Sequence, residues 1–213
     1  MAGVLGARDA TLPDGGLPAR ELPARELPDG GLPAREYALI YADPPWSFVT
    51  YSDRGLKKSA QRHYSCSPAG VLREMAVGDL AAQNSVLAMW ATFPMLPQAI
   101  GLMDAWGFTY KTGGAWGKMS KGGGKVAFGT GYIFRSAAEL LLVGTRGKPV
   151  WGNRRTRNLW LAPVREHSRK PDEVRDLLAA LVPGPRIELF ARSRHEGWDA
   201  WGNEVGKLGG ADV

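Results

Sequence analysis

Apolar positions along the chain gather into short uncharged runs separated by polar, glycine-rich and proline-rich stretches. The first clear run, Tyr37-Ala38-Leu39-Ile40-Tyr41-Ala42, is aromatic, β-branched or small throughout, which suits a strand buried on both faces of a sheet. Ser67-Pro68 predicts a helix start, by a side-chain cap and a first-turn proline, with Val71, Leu72 and Met75 as its apolar stripe. Residues 85–90 read as a second buried strand. Pro94 then opens a helix that sets Leu96, Ile100, Met103 and Trp106 toward the core before Gly107 ends it. Residues 108–116 predict another strand, 117–131 a loop rich in Gly and Lys, and 140–143 a further strand. Near the end, Pro171 opens a helix with acids in its first turn and Leu177, Leu178 and Leu181 inward, followed by a strand at 186–192. Strand and helix signals that alternate in this way predict an α/β fold with a largely parallel sheet.

Composition narrows the classes. A chain of 213 residues, 44% hydrophobic and 23% charged, supports one domain with a sizeable core. Lys and Arg number 27 against 21 Asp and Glu, a net charge of +6 that suits a polyanionic partner without requiring one. Cys66, the one cysteine, excludes an intrachain disulfide framework and a Cys-rich zinc site, and fits a reducing cytoplasm. No run reaches the length of a membrane span and the N-terminus lacks the apolar segment of a signal peptide, so a soluble cytoplasmic protein is expected, with no metal. Residues 1–36 stand apart, because LPDGGLPARE occurs twice with a further LPARE between. So much Pro and Gly with so little bulky apolar surface predicts a flexible tail. The folded domain is expected over 37–207 and a second flexible end over 208–213.

Candidate chemistry begins where the first strand must stop. Asp43-Pro44-Pro45-Trp46 follows it, and two prolines can neither donate to a ladder nor leave the preceding residues free. A carboxylate, a carbonyl and an aromatic ring are thereby held at the carboxyl end of a strand, where open α/β sheets bind ligands. Asp43 and the Pro44 carbonyl can each accept an N–H of an exocyclic amine while the Trp46 ring packs against a planar base. This motif after an apolar strand resembles that of the amino methyltransferases that use S-adenosylmethionine. With Trp46 it is similar to the adenine N6-methyltransferases of the MT-A70 family, which include the eukaryotic mRNA adenosine methyltransferase subunit and bacterial and phage relatives.

The resemblance implies roles for the other motifs. Residues 47–67 form a polar loop fit to cover a nucleotide, with Arg54, Lys57, Lys58 and Arg62 able to meet phosphate. His63-Tyr64 resembles the pair that shapes the substrate pocket. Ala138-Glu139 stands where family members often have His-Glu, so Glu139 alone is carried over. The cluster Arg154, Arg155 and Arg157, between Trp151 and Trp160, is a candidate for nucleic-acid contact. His167-Ser168-Arg169-Lys170-Pro171-Asp172-Glu173 resembles the segment whose lysine, here Lys170, binds the carboxylate of the cofactor's methionine part. Arg192, Asn203 and Glu204 match the segments that hold the cofactor's ribose, Glu188 in the same cofactor segment supports that strand end, and Arg194 and His195 fall near the cofactor's methionine end. The catalytic turn comes first and the cofactor strand last, which resembles the permuted β class of amino methyltransferases with a Rossmann-like sheet and helices on both faces. The implied activity is methyl transfer from S-adenosylmethionine to adenine N6 of nucleic acid, DNA before RNA, with a second subunit as a further partner. Two other readings stay open at this point: a non-catalytic nucleic-acid-binding partner subunit, and an amine methyltransferase acting on a protein or small molecule.

Overall fold

In the computed structural model the described residues are 31–46, 69–131, 133–153, 155–166 and 169–205. Seven strands form one mixed sheet in the order β5-β3-β4-β2-β1-β6-β7. Its first strand, β1, runs from Tyr37 to Ala42, the boundaries that the proline pair demands. Helix α1, Ala69–Glu74, carries the chain to β2, Ala81–Ala91, which pairs parallel to β1. Helix α2, Leu96–Ala105, leads to β3, Thr109–Met119, and then to β4, Ala138–Arg146. The edge strand β5, Leu159–Pro163, precedes helix α3, Asp172–Leu181. After it, β6, Arg186–Leu189, pairs parallel to the other side of β1, and β7, Asp199–Trp201, closes that edge.

Alternation along the central strands builds two cores. Ile40, Leu87, Met89, Leu142 and Leu189 join Leu72, Leu102 and Met103 on the α1 and α2 face. Leu39, Tyr41, Val86, Trp90 and Leu141 join Val174, Leu178 and Leu181 on the α3 face. Helices therefore cover both faces, as expected. Each buried core side chain contributes roughly 1.5–3 kcal/mol through its removal from water.

The structure differs from expectation in four places. Strand β4 runs antiparallel to both β2 and β3, the one reversed strand among the described residues in a sheet that is otherwise parallel as predicted. A buried apolar run reads the same in either direction, and only the return from β3 fixes it. Strand β3 extends through Gly117 to Met119, inside the predicted loop. Its glycines admit close neighbours: a Cβ on Gly114 would meet the Trp160 ring at 2.3 Å. Ile100 is 39% exposed, and Ala99, Leu102 and Met103 form the buried stripe of α2 in its place. Finally, β5 and β7 arise in stretches read as connections; at five and three residues they are short enough to depend on the neighbouring strand.

Candidate active site

The carboxyl ends of β2, β1 and β6 lie side by side, with β1 in the middle. The region outside the carboxyl ends of parallel strands is where open α/β sheets form a ligand crevice. Asp43 emerges there. Because β4 is antiparallel to β2, its amino end reaches the same edge and brings Glu139; β3, paired with β4 at Trp116 and Glu139, adds Lys118.

These three and Lys170 form an alternating row. Lys118 Nζ donates to Glu139 Oε1 at 2.7 Å, and Lys170 Nζ lies 3.3 Å from Glu139 Oε2. The same Lys170 Nζ donates to Asp43 Oδ2 at 2.8 Å. Arg192 continues the row, 3.9 Å from Asp43 Oδ2 and 3.7 Å from Glu204 Oε2. Burial opposes charge on Glu139, yet Lys170 and Lys118 outweigh it and hold the carboxyl below its ordinary range. Burial likewise opposes the Lys170 ammonium, and Asp43 with Glu139 holds its pKa above the ordinary lysine value. Both groups are thus charged at neutral pH.

A pocket opens beside this row, lined by Tyr41, Lys170, Glu188, Phe190, Arg192 and His195 among others. Phe190 closes β6 with φ 61°, a left-handed conformation rare outside glycine and often found where a chain is bent for function. Gly202 makes that bend possible. A Cβ there would lie 2.7 Å from the Ala191 N and O atoms, so only glycine lets the 202–204 segment pass so close. Glu188 Oε2 is buried with no hydrogen-bond partner among the described residues. Burial pushes the Glu188 carboxyl up to about 7 against the pull of Arg175. Ser193 Oγ and His195 Nε2 lie 2.8 Å apart, and burial lowers the imidazole's pKa.

Of the residues predicted for the site, Asp43, Glu139, Lys170, Glu188, Arg192 and Glu204 meet at this edge, with His195 in the pocket. Asn203 lies between Gly202 and Glu204 at the same turn, and Arg194 is exposed. His63, Tyr64, Arg154, Cys66 and the basic residues of 47–67 lie outside the described residues, as do 1–30 and 206–213. Trp46 departs from expectation. Its indole is 7% exposed, and Nε1 donates to the Trp90 carbonyl at 2.9 Å, so the ring packs in the core and braces the turn. The Pro44 carbonyl already accepts the Trp46 N–H at 2.8 Å, with a second lone pair remaining by valence. Arg155 precedes β5, whose amino end pairs with the middle of β3, away from Lys118, while Trp151 and Trp160 pack on the α3-face core. Nothing in the sequence marks Lys118, which falls in the glycine- and lysine-rich stretch that reads as loop; a strand carried two residues past Trp116 sets it beside Glu139.

Comparison with known proteins bears on this geometry. The MT-A70 family model matches residues 37–204, which span β1 through the Asn203-Glu204 turn. The chain belongs to the MT-A70 family. The family includes adenine-N6 methyltransferases, and this chain is one. It is 33% identical to the type II methyltransferase M.MunI of Mycoplasma over 80% of its own length and 78% of that protein's. It is also 28% identical to a putative N(6)-adenosine-methyltransferase MT-A70-like protein of Medicago truncatula, and 26% to the human catalytic subunit METTL3, each over 80% of this chain. Against these two the chain spans only 26% and 28% of the relative's length. Among the described residues no helix is long and apolar enough to cross a membrane.

MT-A70 methyltransferases use S-adenosylmethionine, and the residues that line the pocket have the chemistry to hold such a group. Lys170 brings a buried ammonium to its floor, and Glu188 Oε2 is a buried acceptor of the kind that hydroxyl or ammonium donors satisfy.

Proposed function

We propose that this MT-A70 methyltransferase acts on adenine in DNA in preference to RNA, by direct in-line transfer at the edge where Asp43 and Lys170 meet. The observation that carries this reading is the 2.8 Å contact between Lys170 and Asp43, which joins the cofactor segment to the catalytic turn across 127 residues of sequence. When bound, S-adenosylmethionine supplies an electrophilic methyl carbon. Asp43 and the remaining lone pair of the Pro44 carbonyl hold the adenine amine in line by accepting its N–H groups. Trp46 stiffens that turn from behind. Lys170 serves the carboxylate of the cofactor's methionine part, while Glu188, Arg192, Asn203 and Glu204 serve its ribose. His63 and Tyr64 complete the base pocket, and Arg154 and Arg155 meet the backbone.

Charge distribution supports a nucleic-acid acceptor. Between Trp106 and Val164 the chain carries ten Lys or Arg and a single acid, Glu139, which is itself paired. The β3–β4 connection also exposes Phe128 and Phe134, at 83% and 86%, beside Lys121, Lys125 and Arg135. Cations that meet phosphates next to rings that stack on bases are the means by which unpaired strands are held. For a duplex acceptor the target base must leave its stack, at a cost of a few kcal/mol that such contacts offset. The preference for DNA is supported by the 33% identity to a type II methyltransferase over 78% of its length; relatives named for adenosine or RNA are 26–28% identical, one of them, an RNA methyltransferase, over 61% of its length.

The test is transfer of labelled methyl from S-adenosylmethionine to unmethylated duplex DNA, single-stranded DNA and RNA, with mass analysis of the released nucleosides. N6-methyladenine on DNA at a higher rate than on RNA is expected. Product on RNA alone overturns the DNA preference. Cofactor binding without product on any acceptor overturns the reading in favour of a required second subunit or a different amine.

A further inference from the structure

We infer that Lys118, on β3, is a positioning residue that fixes Glu139 and through it the placement of Lys170 against Asp43. The inference rests on the proposed site. Glu139 projects from β4 with an 11% exposed side chain, and a carboxylate so buried stays ionised only where cations compensate it. Two cations do so, from different elements. Lys118 of β3 takes Oε1 at 2.7 Å, and Lys170, from the segment before α3, lies 3.3 Å from Oε2. Behind Lys170 stand Asp43, after β1, and Arg192, after β6.

Lys118 is itself held in place. Its Nζ sits 5.1 Å from the centre of the Trp116 ring, and Trp116 is the residue paired with Glu139 in the sheet register. The ammonium is thus fixed by an ion pair and a ring. It acts through Glu139.

The consequence concerns the charge that meets the amine. With Lys118 present, Glu139 remains an anion and shares the Lys170 ammonium with Asp43, so the row of two cations and two anions is balanced. Without Lys118, Glu139 loses the contact that fixes Oε1, its carboxyl titrates higher than in wild type, and its hold on Lys170 loosens. The ammonium then falls more fully on Asp43, and Asp43 becomes a poorer acceptor for an amine that gains positive charge as its new N–C bond forms and the S–C bond breaks. Of this row only Lys170 serves the cofactor's carboxylate, and its charge is kept, so the defect belongs to turnover.

Two measurements test this on the full-length protein. Carbon-detected NMR of labelled glutamate side chains follows the Glu139 carboxyl, assigned by its loss in Glu139→Gln, through an acid titration of wild type, Lys118→Met and Lys118→Arg. Glu139 is expected to titrate below the ordinary value of 4.5 in wild type and higher than wild type in Lys118→Met, with Lys118→Arg close to wild type. In parallel, Lys118→Met is expected to lower kcat roughly tenfold at neutral pH, to raise the acid limb of the kcat profile, and to leave KM for the cofactor within about twofold. Added to Glu139→Gln, Lys118→Met should have no further effect. An unmoved Glu139 titration, or effects of the two substitutions that multiply, overturns the inference. Should wild type transfer no methyl to any acceptor, the proposed function fails, while the carboxyl titration still decides whether Lys118 governs Glu139. Should Lys118→Met not fold, Lys118→Arg and Glu139→Gln decide it: a wild-type Glu139 titration lying at or above 4.5 overturns the inference on its own.

Discussion

Replacing Lys170 by methionine keeps an unbranched apolar stem and removes the charge that joins the two halves of the site. Lys170, Asp43 and Glu139 have side chains exposed by 12%, 22% and 11%, so water compensates little of the loss. Breaking a buried pair by removing one partner costs about 3–5 kcal/mol when the other charge is left alone. Here neither carboxylate is left alone: Lys118 stays 2.7 Å from Glu139, and Arg192 stays 3.9 Å from Asp43. Those cations reduce the expected loss to about 2 kcal/mol at pH 7. The sign of its pH dependence follows from Glu139. Its carboxyl is depressed in the folded state, so the stability it contributes is present above the ordinary value of 4.5 and is lost as pH falls through the depressed one. Removal of Lys170 forfeits that contribution, so the deficit relative to wild type should be full at pH 7 and fade below 4.5. Urea unfolding of both proteins at several pH values between these limits measures it. A deficit below about 0.5 kcal/mol at pH 7, or one equal at every pH, refutes the reasoning that Lys170 is held by two ionised carboxylates.

Three further substitutions probe the pocket and its frame. Glu188 has a raised carboxyl, so the folded state keeps its proton from 4.5 to about 7 and stability falls as pH rises through that window. Glu188→Gln should flatten this dependence and, above it, stabilise the protein by up to about 3 kcal/mol, seen as a higher Tm in thermal unfolding across the range. Gly202→Ala places a methyl group 2.7 Å from the Ala191 backbone and should weaken cofactor binding, measured as Kd by calorimetry, more than it weakens the fold; an unchanged Kd contradicts the close approach. Trp46→Phe keeps the buried ring and loses the hydrogen bond to the Trp90 carbonyl, for an expected cost of about 1 kcal/mol in urea unfolding.

The catalytic turn was legible because its chemistry is local. Two prolines after six uncharged residues end a strand wherever they occur, and β1 stops at Ala42 for that reason. Lys170 was legible through resemblance, but its contact with Asp43 was not, because nothing in the spacing of two segments so far apart says which strands are neighbours. The direction of β4 was hidden for a related reason: Leu140 to Val143 alternate between the two cores, and they would do so in a parallel strand as well. The antiparallel return is what brings Glu139 to the carboxyl edge of β1. Lys118 lies just past Gly117, where the glycine-rich run 117–131 reads as loop although Gly117 sits in β3 and leaves room for the Leu161 side chain of β5. Ile100 was assigned inward by helical spacing alone, whereas the sheet meets α2 along Ala99, Leu102 and Met103. Trp46 shows the limit of reading a side chain by its type. An indole suits stacking on a base, but a buried one must satisfy its N–H, and Trp90 offers the carbonyl that draws the ring into the core.

The most direct measurement is the amount of N6-methyladenine formed in DNA by wild type and by Asp43→Ala at equal cofactor occupancy, read by nucleoside mass analysis. Wild type should accumulate product while Asp43→Ala, folded and still binding S-adenosylmethionine, forms none above background. Equal product from both proteins would contradict the placement of the adenine amine on Asp43.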